Sequence, residues 1–354
     1  MDAEPAHWLA LNRLSDLRGS ELRALAEGRL SPRDLLRARG RSATDWRAVE
    51  ADLAWLAAPG RHLITLASVT YPAPLRHIPD PPPVLFVEGD AQALGLAQVA
   101  MVGSRRASPW GVETARAFSA ELVERGLIIT SGLALGVDAA GHRGAMAAGG
   151  RTLAVAANGL DIVYPRRHRR LAREVAANGA LISEFPPGTP PLAWHFPRRN
   201  RLISGLSLGV VVVEAARRSG SLITARLAGE QGREVFAVPG PIQSPLARGC
   251  HHLIRDGAKL VEEVADILEE LPPGPWSGAP AAPPAPDNPA PEGLDGPSRR
   301  VLEGLGHRPA TVDDLVERSG LTAATVCSIL LALELRGLVV PVLGGAFCRV
   351  TKRP

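Results

Sequence analysis

Short, continuous apolar runs recur along the middle of the chain, between about residues 97 and 265. They are rich in valine, isoleucine and leucine, and the clearest of them span residues 99–102, 127–129, 153–156, 181–182, 210–213 and 235–238. Apolar runs that do not alternate with polar residues are typical of strands buried on both faces, as in a parallel sheet. Helical segments of about ten to fifteen residues lie between most of these runs, for example at 111–125. The pattern predicts an α/β fold with an extended, Rossmann-like, doubly wound parallel sheet.

The N-terminal side of this region has a different pattern. Apolar residues recur at helical spacing with short breaks up to about residue 60, and Ser31 and Pro32 have the N-cap and first-turn positions of one helix. This stretch predicts a small bundle of short helices. Residues 70–83 are too rich in proline for regular structure, and residues 84–87 are then a predicted edge strand.

On the C-terminal side, ten prolines lie within residues 272–297, a composition that predicts a linker without packed structure. Residues 298–354 return to a globular pattern, with three predicted helices followed by a hairpin that turns at Gly344 and Gly345. This order is the outline of a winged helix. We therefore expect four regions: a helical module at 1–64, a Rossmann-like domain at 65–271, a linker at 272–297 and a winged-helix-like module at 298–354.

Small polar residues follow each predicted strand of the central region, at 103–104, 130–132, 158–159, 183–184, 214–215 and 239–240. Because the carboxyl ends of parallel strands meet at one edge of a sheet, we expect these clusters to line a common crevice. Exposed backbone N–H groups and helix N-termini bind anions at such an edge. Arg105 and Arg106 start at this edge, and five arginines lie within residues 166–173. The sequence therefore predicts a phosphate-binding crevice lined by arginine.

Several protein classes are disfavoured by composition and by missing motifs. No run of about eighteen apolar residues exists and the N-terminus does not resemble a signal peptide, so we expect a cytoplasmic protein that does not enter a membrane. Three scattered cysteines predict neither disulfides nor a zinc site. The loops that bind nucleoside triphosphates or dinucleotides, G-x-x-x-x-G-K-[ST] and G-x-G-x-x-G after the first strand, are absent. We expect no metal and no cofactor.

Several blocks of the chain resemble the signature of the DNA-processing protein A family (DprA, also called Smf). The blocks lie at 102–105, 131–138, 158–165, 196–206, 213–225, 237–240 and 249–258. The resemblance covers residues 65–265 strongly. The two terminal modules, the first of which is expected to be of the SAM or helix-hairpin-helix type, also fit the family's fuller architecture.

The resemblance implies a non-enzymatic protein that binds single-stranded DNA, protects it, and helps to load the RecA recombinase during natural transformation. It also implies a homodimer formed through the Rossmann-like domain, with Ile254 and Leu260 as interface positions. Arg105 matches the family's DNA-binding arginine, and Arg169 falls where the family often has a lysine. With the crevice prediction, the expected DNA-binding residues are Gly103, Ser104, Arg105, Arg106, Ser131, Gly132, Asn158, Arg166, Arg167, Arg169, Arg170, Asn200 and Arg201.

Two alternatives remain open at this stage. The first is a nucleotide-processing hydrolase of the phosphoribohydrolase type, to which the central domain is distantly similar, although its Pro-Gly-Gly-x-Gly-Thr loop is missing. Asp138, Asp161, Glu184 and Glu214 would supply acid and base groups there, but we expect them to cap helices or orient arginines. The second is a transcription factor that uses its tail. Against duplex recognition, residues 322–335 contain no basic or amide side chain, so protein docking is at least as consistent a role for the tail.

Overall fold

The computed structural model describes residues 4–14, 16–40, 45–277, 294–305, 310–342 and 346–349. The chain divides into two compact units, Met1–Gly278 and Ala279–Pro354. Each unit has its own hydrophobic core.

The first unit is built on a nine-stranded sheet with the order β1-β2-β6-β5-β4-β3-β7-β8-β9. Strands β3 to β9 are parallel to one another, whereas β2 runs antiparallel to both β1 and β6. The strands are β1 (Arg61–Thr65), β2 (Val84–Gly89), β3 (Gln98–Val102), β4 (Ile128–Ser131), β5 (Thr152–Val155), β6 (Ala180–Ser183), β7 (Gly209–Val212), β8 (Glu234–Ala237) and β9 (Lys259–Leu260). The six predicted apolar runs are β3 to β8, and the predicted doubly wound α/β class is confirmed.

Helices precede the sheet and connect its strands. The helices are α1 (Glu4–Asn12), α2 (Gly19–Ala26), α3 (Pro32–Ala38), α4 (Trp46–Leu56), α5 (Ala73–Arg76), α6 (Pro109–Glu124), α7 (Val137–Ala147), α8 (Arg169–Asn178), α9 (His195–Leu206), α10 (Gly220–Glu230), α11 (Arg248–Arg255) and α12 (Val264–Glu270). Helices α3, α4, α6 and α10 begin at a side chain that caps the helix. In α3, Ser31 accepts a hydrogen bond from the Asp34 backbone N–H at 3.1 Å, with Pro32 in the first turn, as predicted.

The N-terminal helices pack onto the sheet. The Asn12 side-chain amide donates to the Glu184 carbonyl at 3.0 Å, and the Trp55 ring meets the Phe86 ring edge-on at 6.0 Å. The predicted boundary at residue 64 falls inside β1, and β1 rather than β2 forms this edge of the sheet. The sequence pattern missed β1 because only Leu63 and Ile64 make an apolar run there.

The second unit has the predicted winged-helix order of three helices and a small sheet. Its elements are α13 (Gly296–Leu305), β10 (Ala310–Thr311), α14 (Val312–Ser319), α15 (Ala323–Leu335), β11 (Val339–Val342) and β12 (Ala346–Arg349). The strands pair antiparallel in the order β10-β12-β11, and α15 buries Val326, Leu330 and Leu333 in the core. The predicted turn at Gly344 and Gly345 lies outside the described residues.

Part of the predicted linker has regular structure. A short 3-10 turn covers Pro275–Ser277, where the Trp276 indole N–H donates to the Pro272 carbonyl at 3.1 Å and the ring packs against the first unit's core. At the other end, α13 begins at Gly296 and Leu294 packs against the second core. A tryptophan and a leucine within the proline-rich stretch supply the apolar surface for these contacts. Residues 278–293 lie outside the described part of the chain.

Among the described residues, no single helix combines the length and apolar composition needed to cross a bilayer. Helices α14 and α15 pass that test only as a pair, with an angle of 108° between them.

Candidate nucleic-acid interface

The centre of the sheet has the geometry of a ligand crevice. Strand β3 lies between β4 and β7, so the chain leaves β3 towards one side of the sheet and returns through β7 on the other side. Ligands bind at such a switch point in open α/β sheets, outside the carboxyl ends of the strands. We use the term carboxyl rim for the loops that follow β3, β4, β5, β7 and β8.

The loop after β3 is tightly packed and presents two arginines. A Cβ on Gly103 would lie 2.6 Å from a Val137 methyl group, so only glycine lets the loop approach α7. The Ser104 carbonyl accepts from the Val137 N–H at 3.2 Å, and its hydroxyl accepts from the Arg106 N–H at 3.1 Å. The side chains of Arg105 and Arg106 are exposed. This packing orients the loop so that both guanidinium groups face solvent.

A pocket opens beside Arg105, with a volume of about 50 Å³. Its walls are Arg105, Gly132, Ala134, Leu135, Tyr164, Pro165 and Phe196, which come from the loops after β3, β4 and β5 and from the start of α9. The Arg105 guanidinium carbon lies 5.4 Å from the centre of the Phe196 ring, within cation–π range. The Tyr164 and Phe196 rings are 5.5 Å apart and tilted by 59°. The pocket therefore combines a cation with two aromatic faces.

Buried polar groups hold the β4 loop from beneath. The Asp138 carboxylate accepts from the Gly132 N–H at 3.0 Å and from the Ala134 N–H at 3.2 Å. From the other side, the buried Arg199 guanidinium donates to the Gly132 and Val155 carbonyls. Leu133, between the two amides, has a φ of 58°, which is unusual for a residue with a side chain. These contacts stabilise the strained turn that forms one wall of the pocket.

The burial of this network shifts the pKa values of its members. Burial lowers the pKa of Arg199 to about 10; Asp138 opposes this shift, and the positive charge of Arg105 adds a smaller contribution to it. Burial also raises the pKa of Asp138, against the attraction of Arg199 and the two loop N–H groups. At neutral pH Arg199 remains a buried cation directly below the pocket wall.

His142 lies in the same buried layer, where its Nδ1 meets the Thr152 hydroxyl at 2.7 Å. Burial, with smaller contributions from neighbouring basic side chains, lowers the pKa of His142 from 6.5 to about 3. Because the unfolded chain binds the proton more readily, the free energy of unfolding is expected to fall as pH drops from 6.5 towards 3. Urea unfolding at a series of pH values should show a slope that is smaller for His142→Gln by up to about 1.4 kcal/mol per pH unit. Equal slopes for the two proteins would contradict this assignment.

Most of the predicted arginines lie on the carboxyl rim with exposed side chains. Arg166, Arg167 and Arg169 are exposed around the first turn of α8, together with Arg170, which pairs with Glu174 at 2.7 Å. The buried residue in this run is His168, whose Nδ1 lies 2.8 Å from the Leu133 carbonyl. Since Tyr164 and Pro165 line the pocket just before this run, the structure brings the run to the same side of the molecule as Arg105.

Other predicted residues face the interior. The Ser131 hydroxyl donates to the Met101 carbonyl, the Asn158 amide to the Gly159 carbonyl, and the Asn200 amide to the Gly220 carbonyl. Arg201 is buried, with one nitrogen 2.7 Å from Glu184 and another 2.8 Å from Asp80. The Gly132 N–H, expected to face a phosphate, is bound to Asp138. These groups are better placed to shape the loops than to contact a ligand.

The four candidate carboxylates all have structural partners. Besides Asp138, Glu184 binds Arg198 and Arg201, Glu214 accepts from the Ser108 N–H and hydroxyl, and Asp161 accepts from the Gly188 N–H. This is the capping and orienting role expected of them. Asp138, Glu184 and Glu214 are buried, whereas the Asp161 side chain is exposed.

The sequence prediction missed two features of the site. Tyr164 was overlooked as a pocket wall, although it directly precedes the basic run. Arg199 was treated as part of a motif rather than as the buried cation below the β4 loop. Among the aromatic residues near the site, Phe185 is buried, Trp194 is 59% exposed and Phe196 lines the pocket.

Comparison with known proteins is consistent with this geometry. Residues 62–272 match the family model described as DNA recombination-mediator protein A, and residues 282–345 match the DprA winged helix domain. Protein Smf from Escherichia coli is 48% identical over 304 residues, which cover 84% of this chain and 80% of that protein. The chain belongs to the DprA family. DNA processing protein DprA from Bacillus subtilis is 46% identical over 60% of this chain and 72% of its own length.

Two solved DprA structures share the fold. The X-ray structure of DNA processing protein A from Streptococcus pneumoniae is 36% identical and covers 77% of this chain and 99% of that chain, with a TM-score of 0.67. The protein from Helicobacter pylori is 28% identical and covers 60% of this chain and 97% of that chain, with a TM-score of 0.55. That structure was described for its single-stranded DNA binding mode. The predicted family and fold are confirmed.

The two predicted interface positions of this DprA chain lie at the end of the sheet away from β1. Ile254 on α11 is half-buried and packs against the first core. Leu260 on β9 is 41% exposed, and β9 is an edge strand of the sheet. Leu260 is therefore the better placed of the two to contact another subunit.

Proposed function

We propose that this DprA chain binds single-stranded DNA along the carboxyl rim and does not act as a catalyst. The observation that carries the proposal is the pocket beside Arg105, where a cation and two aromatic rings meet next to a cluster of exposed arginines. Arginine neutralises phosphates, and aromatic faces stack on bases of any sequence. The binding of single-stranded DNA by the Helicobacter pylori relative supports the same ligand here.

The exposure of each side chain indicates its role in the proposed DNA interface. Arg105 and Arg106 hold phosphates at the centre of the rim, and Arg166, Arg167, Arg169 and Arg170 extend the positive surface past β5. Phe196 and Tyr164 receive an unstacked base in the pocket, which a paired base in a duplex could not enter. Arg199 and Asp138 do not contact DNA but hold the β4 loop that forms one pocket wall.

The hydrolase alternative is less well supported. Its chemistry needs a carboxylate that is free to activate water or a sugar. Asp138, Glu184 and Glu214 are buried and bound by arginine, hydroxyl or backbone N–H groups, and the exposed Asp161 accepts from the Gly188 N–H. A nucleoside monophosphate hydrolysis assay tests it directly.

Titration of the purified chain with single-stranded and duplex DNA of equal length tests the proposed function. We expect tighter binding to the single strand at every salt concentration. The logarithm of the association constant should fall linearly with the logarithm of salt, by about 0.7 for each phosphate neutralised. Equal affinity for the two forms, or affinity that does not change with salt, would refute binding by an arginine-lined rim.

Three further parts of the proposal concern partners and location. We propose that the chain acts in the cytoplasm as a homodimer through the sheet edge that carries Leu260, and that it helps to load RecA on the DNA it protects. Sedimentation of the purified chain measures whether it forms a homodimer. The rate of RecA filament growth on single-stranded DNA, with and without this chain bound to the DNA, measures whether the chain helps to load RecA.

A further inference from the structure

The loop after β7 carries two arginines that the proposed site does not use. Arg217 and Arg218 are exposed and have no ion-pair or hydrogen-bond partner among the residues that the structure describes. The loop leads into α10, and a methyl group added at Gly220, the first residue of that helix, would meet nothing within 4 Å. Two unpaired cations therefore face open space on the carboxyl rim.

The β7 loop is joined to the β3 loop. Strands β3 and β7 pair in parallel, and the Val213 N–H continues the ladder to the Val102 carbonyl at 3.2 Å. Beyond the strands, the Glu214 carboxylate accepts from the Ser108 N–H at 2.8 Å and from its hydroxyl at 2.6 Å. The two loops therefore form one connected surface, with neighbouring strands about 4.8 Å apart beneath it.

An aromatic residue lies at this junction. Trp110, in the first turn of α6, is 43% exposed. Its neighbour Gly111 sits so close to Glu214 that a Cβ would lie 2.5 Å from the carboxylate. We define the switch-point patch as Arg106, Trp110, Arg217 and Arg218.

In the strand order, the pocket loops after β4 and β5 and the loop that carries Arg217 and Arg218 lie on opposite sides of β3. Single-stranded DNA is bound by surfaces that combine cations with exposed aromatic rings. The cations neutralise the phosphates, and the aromatic rings stack on the bases. A negatively charged, flexible strand that leaves the pocket past Arg105 would meet this surface next.

We propose that the switch-point patch binds the nucleotides that follow the base in the pocket, with Arg217 and Arg218 on phosphates and Trp110 stacked on a base. The proposal rests on the single-stranded DNA binding proposed above and extends it across the switch point. It predicts that the DNA strand crosses the carboxyl rim at the centre of the sheet instead of running only over the loops near α8. The footprint then includes the loops after β5, β4, β3 and β7.

The test uses the full chain, oligothymidylates of increasing length, and the double variant Arg217→Ala/Arg218→Ala. The matched control is Arg33→Ala/Arg37→Ala, which removes the same charge from two exposed arginines of α3 in the N-terminal module. With long strands, we expect the patch variant to bind about tenfold more weakly than the control and to reduce the salt slope by about 1.4. With strands short enough to fill only the pocket, the two variants should bind equally. Trp110→Ala should also weaken binding to long strands selectively.

The outcomes separate the two proposals. If long strands bind the patch variant and the control equally, the patch does not contact DNA, while the pocket proposal stands. If the patch variant loses affinity equally for short and long strands, the patch is part of the pocket and the extended path is wrong. If the unaltered chain does not bind single strands, the proposed function fails and this inference fails with it.

Discussion

Arg105→Glu is expected to lower the affinity for single-stranded DNA at least tenfold, equivalent to about 1.4 kcal/mol. The substitution removes a guanidinium that faces solvent at the centre of the carboxyl rim and replaces it with a group that repels phosphate. It also removes the cation over the Phe196 ring and so alters the pocket's aromatic wall. Because the Arg105 side chain is exposed, the variant should remain folded. Fluorescence anisotropy with a labelled oligothymidylate measures the change.

Arg33→Glu is the matched control for this variant. Arg33 is exposed on α3, so the control makes the same change in net charge at a position away from the proposed site. If both variants lost affinity equally, only the overall charge would matter and the site would be wrong. A smaller salt slope for Arg105→Glu than for the control would support a direct phosphate contact.

The sheet could be predicted from the sequence because burial on both faces leaves a simple pattern. Strands β3 to β8 each contain an uninterrupted apolar run, so periodicity alone located them. The edge strands β1 and β9 were missed because an edge strand is short and partly exposed, and its residues, such as Arg61 and Lys259, do not form such a run.

The arginines of the site were harder to sort from sequence. Arg198 to Arg201 form one basic run, but successive residues on a helix point about 100° apart. Arg198 is therefore half-exposed, whereas Arg199 is buried under Gly132 and Arg201 is buried against Glu184. Whether an arginine faces solvent or an internal carboxylate depends on the packing of distant elements, which a run of residue types does not encode.

The pocket could also be predicted only in part, because some of its walls meet only through the packing of distant elements. Its glycine-bearing loops follow from the rule that parallel strands end at one edge. Tyr164 and Phe196, by contrast, come from the β5 loop and the start of α9, 32 positions apart, and meet only through the fold. Family resemblance pointed to the site, whereas the geometry shows which of its residues are open to a ligand.

Gly136→Ala is expected to destabilise the first unit by about 3 kcal/mol or more, and to weaken DNA binding in the fraction that folds. Gly136 has a φ of 74° and a ψ of −123°, a conformation that residues with a Cβ rarely adopt, and this strain alone costs about 1–2 kcal/mol. The added methyl would also lie 2.1 Å from the Ser104 carbonyl oxygen and 2.9 Å from the Arg105 carbonyl carbon. Because both atoms are backbone, the β3 loop itself would have to move, which adds about 1–3 kcal/mol.

Gly149→Ala separates the cost of the backbone conformation from the cost of the close contact with the β3 loop. Gly149 has a φ of 73°, but a methyl group there would meet nothing within 4 Å. Urea unfolding should therefore show a loss of about 1–2 kcal/mol for Gly149→Ala and a clearly larger loss for Gly136→Ala. Folded Gly149→Ala should keep the DNA affinity of the unaltered chain, whereas folded Gly136→Ala should lose affinity because Arg105 is displaced. Equal stability losses with unchanged DNA affinity in both variants would mean that the close contact between the β3 loop and the start of α7 does not position Arg105.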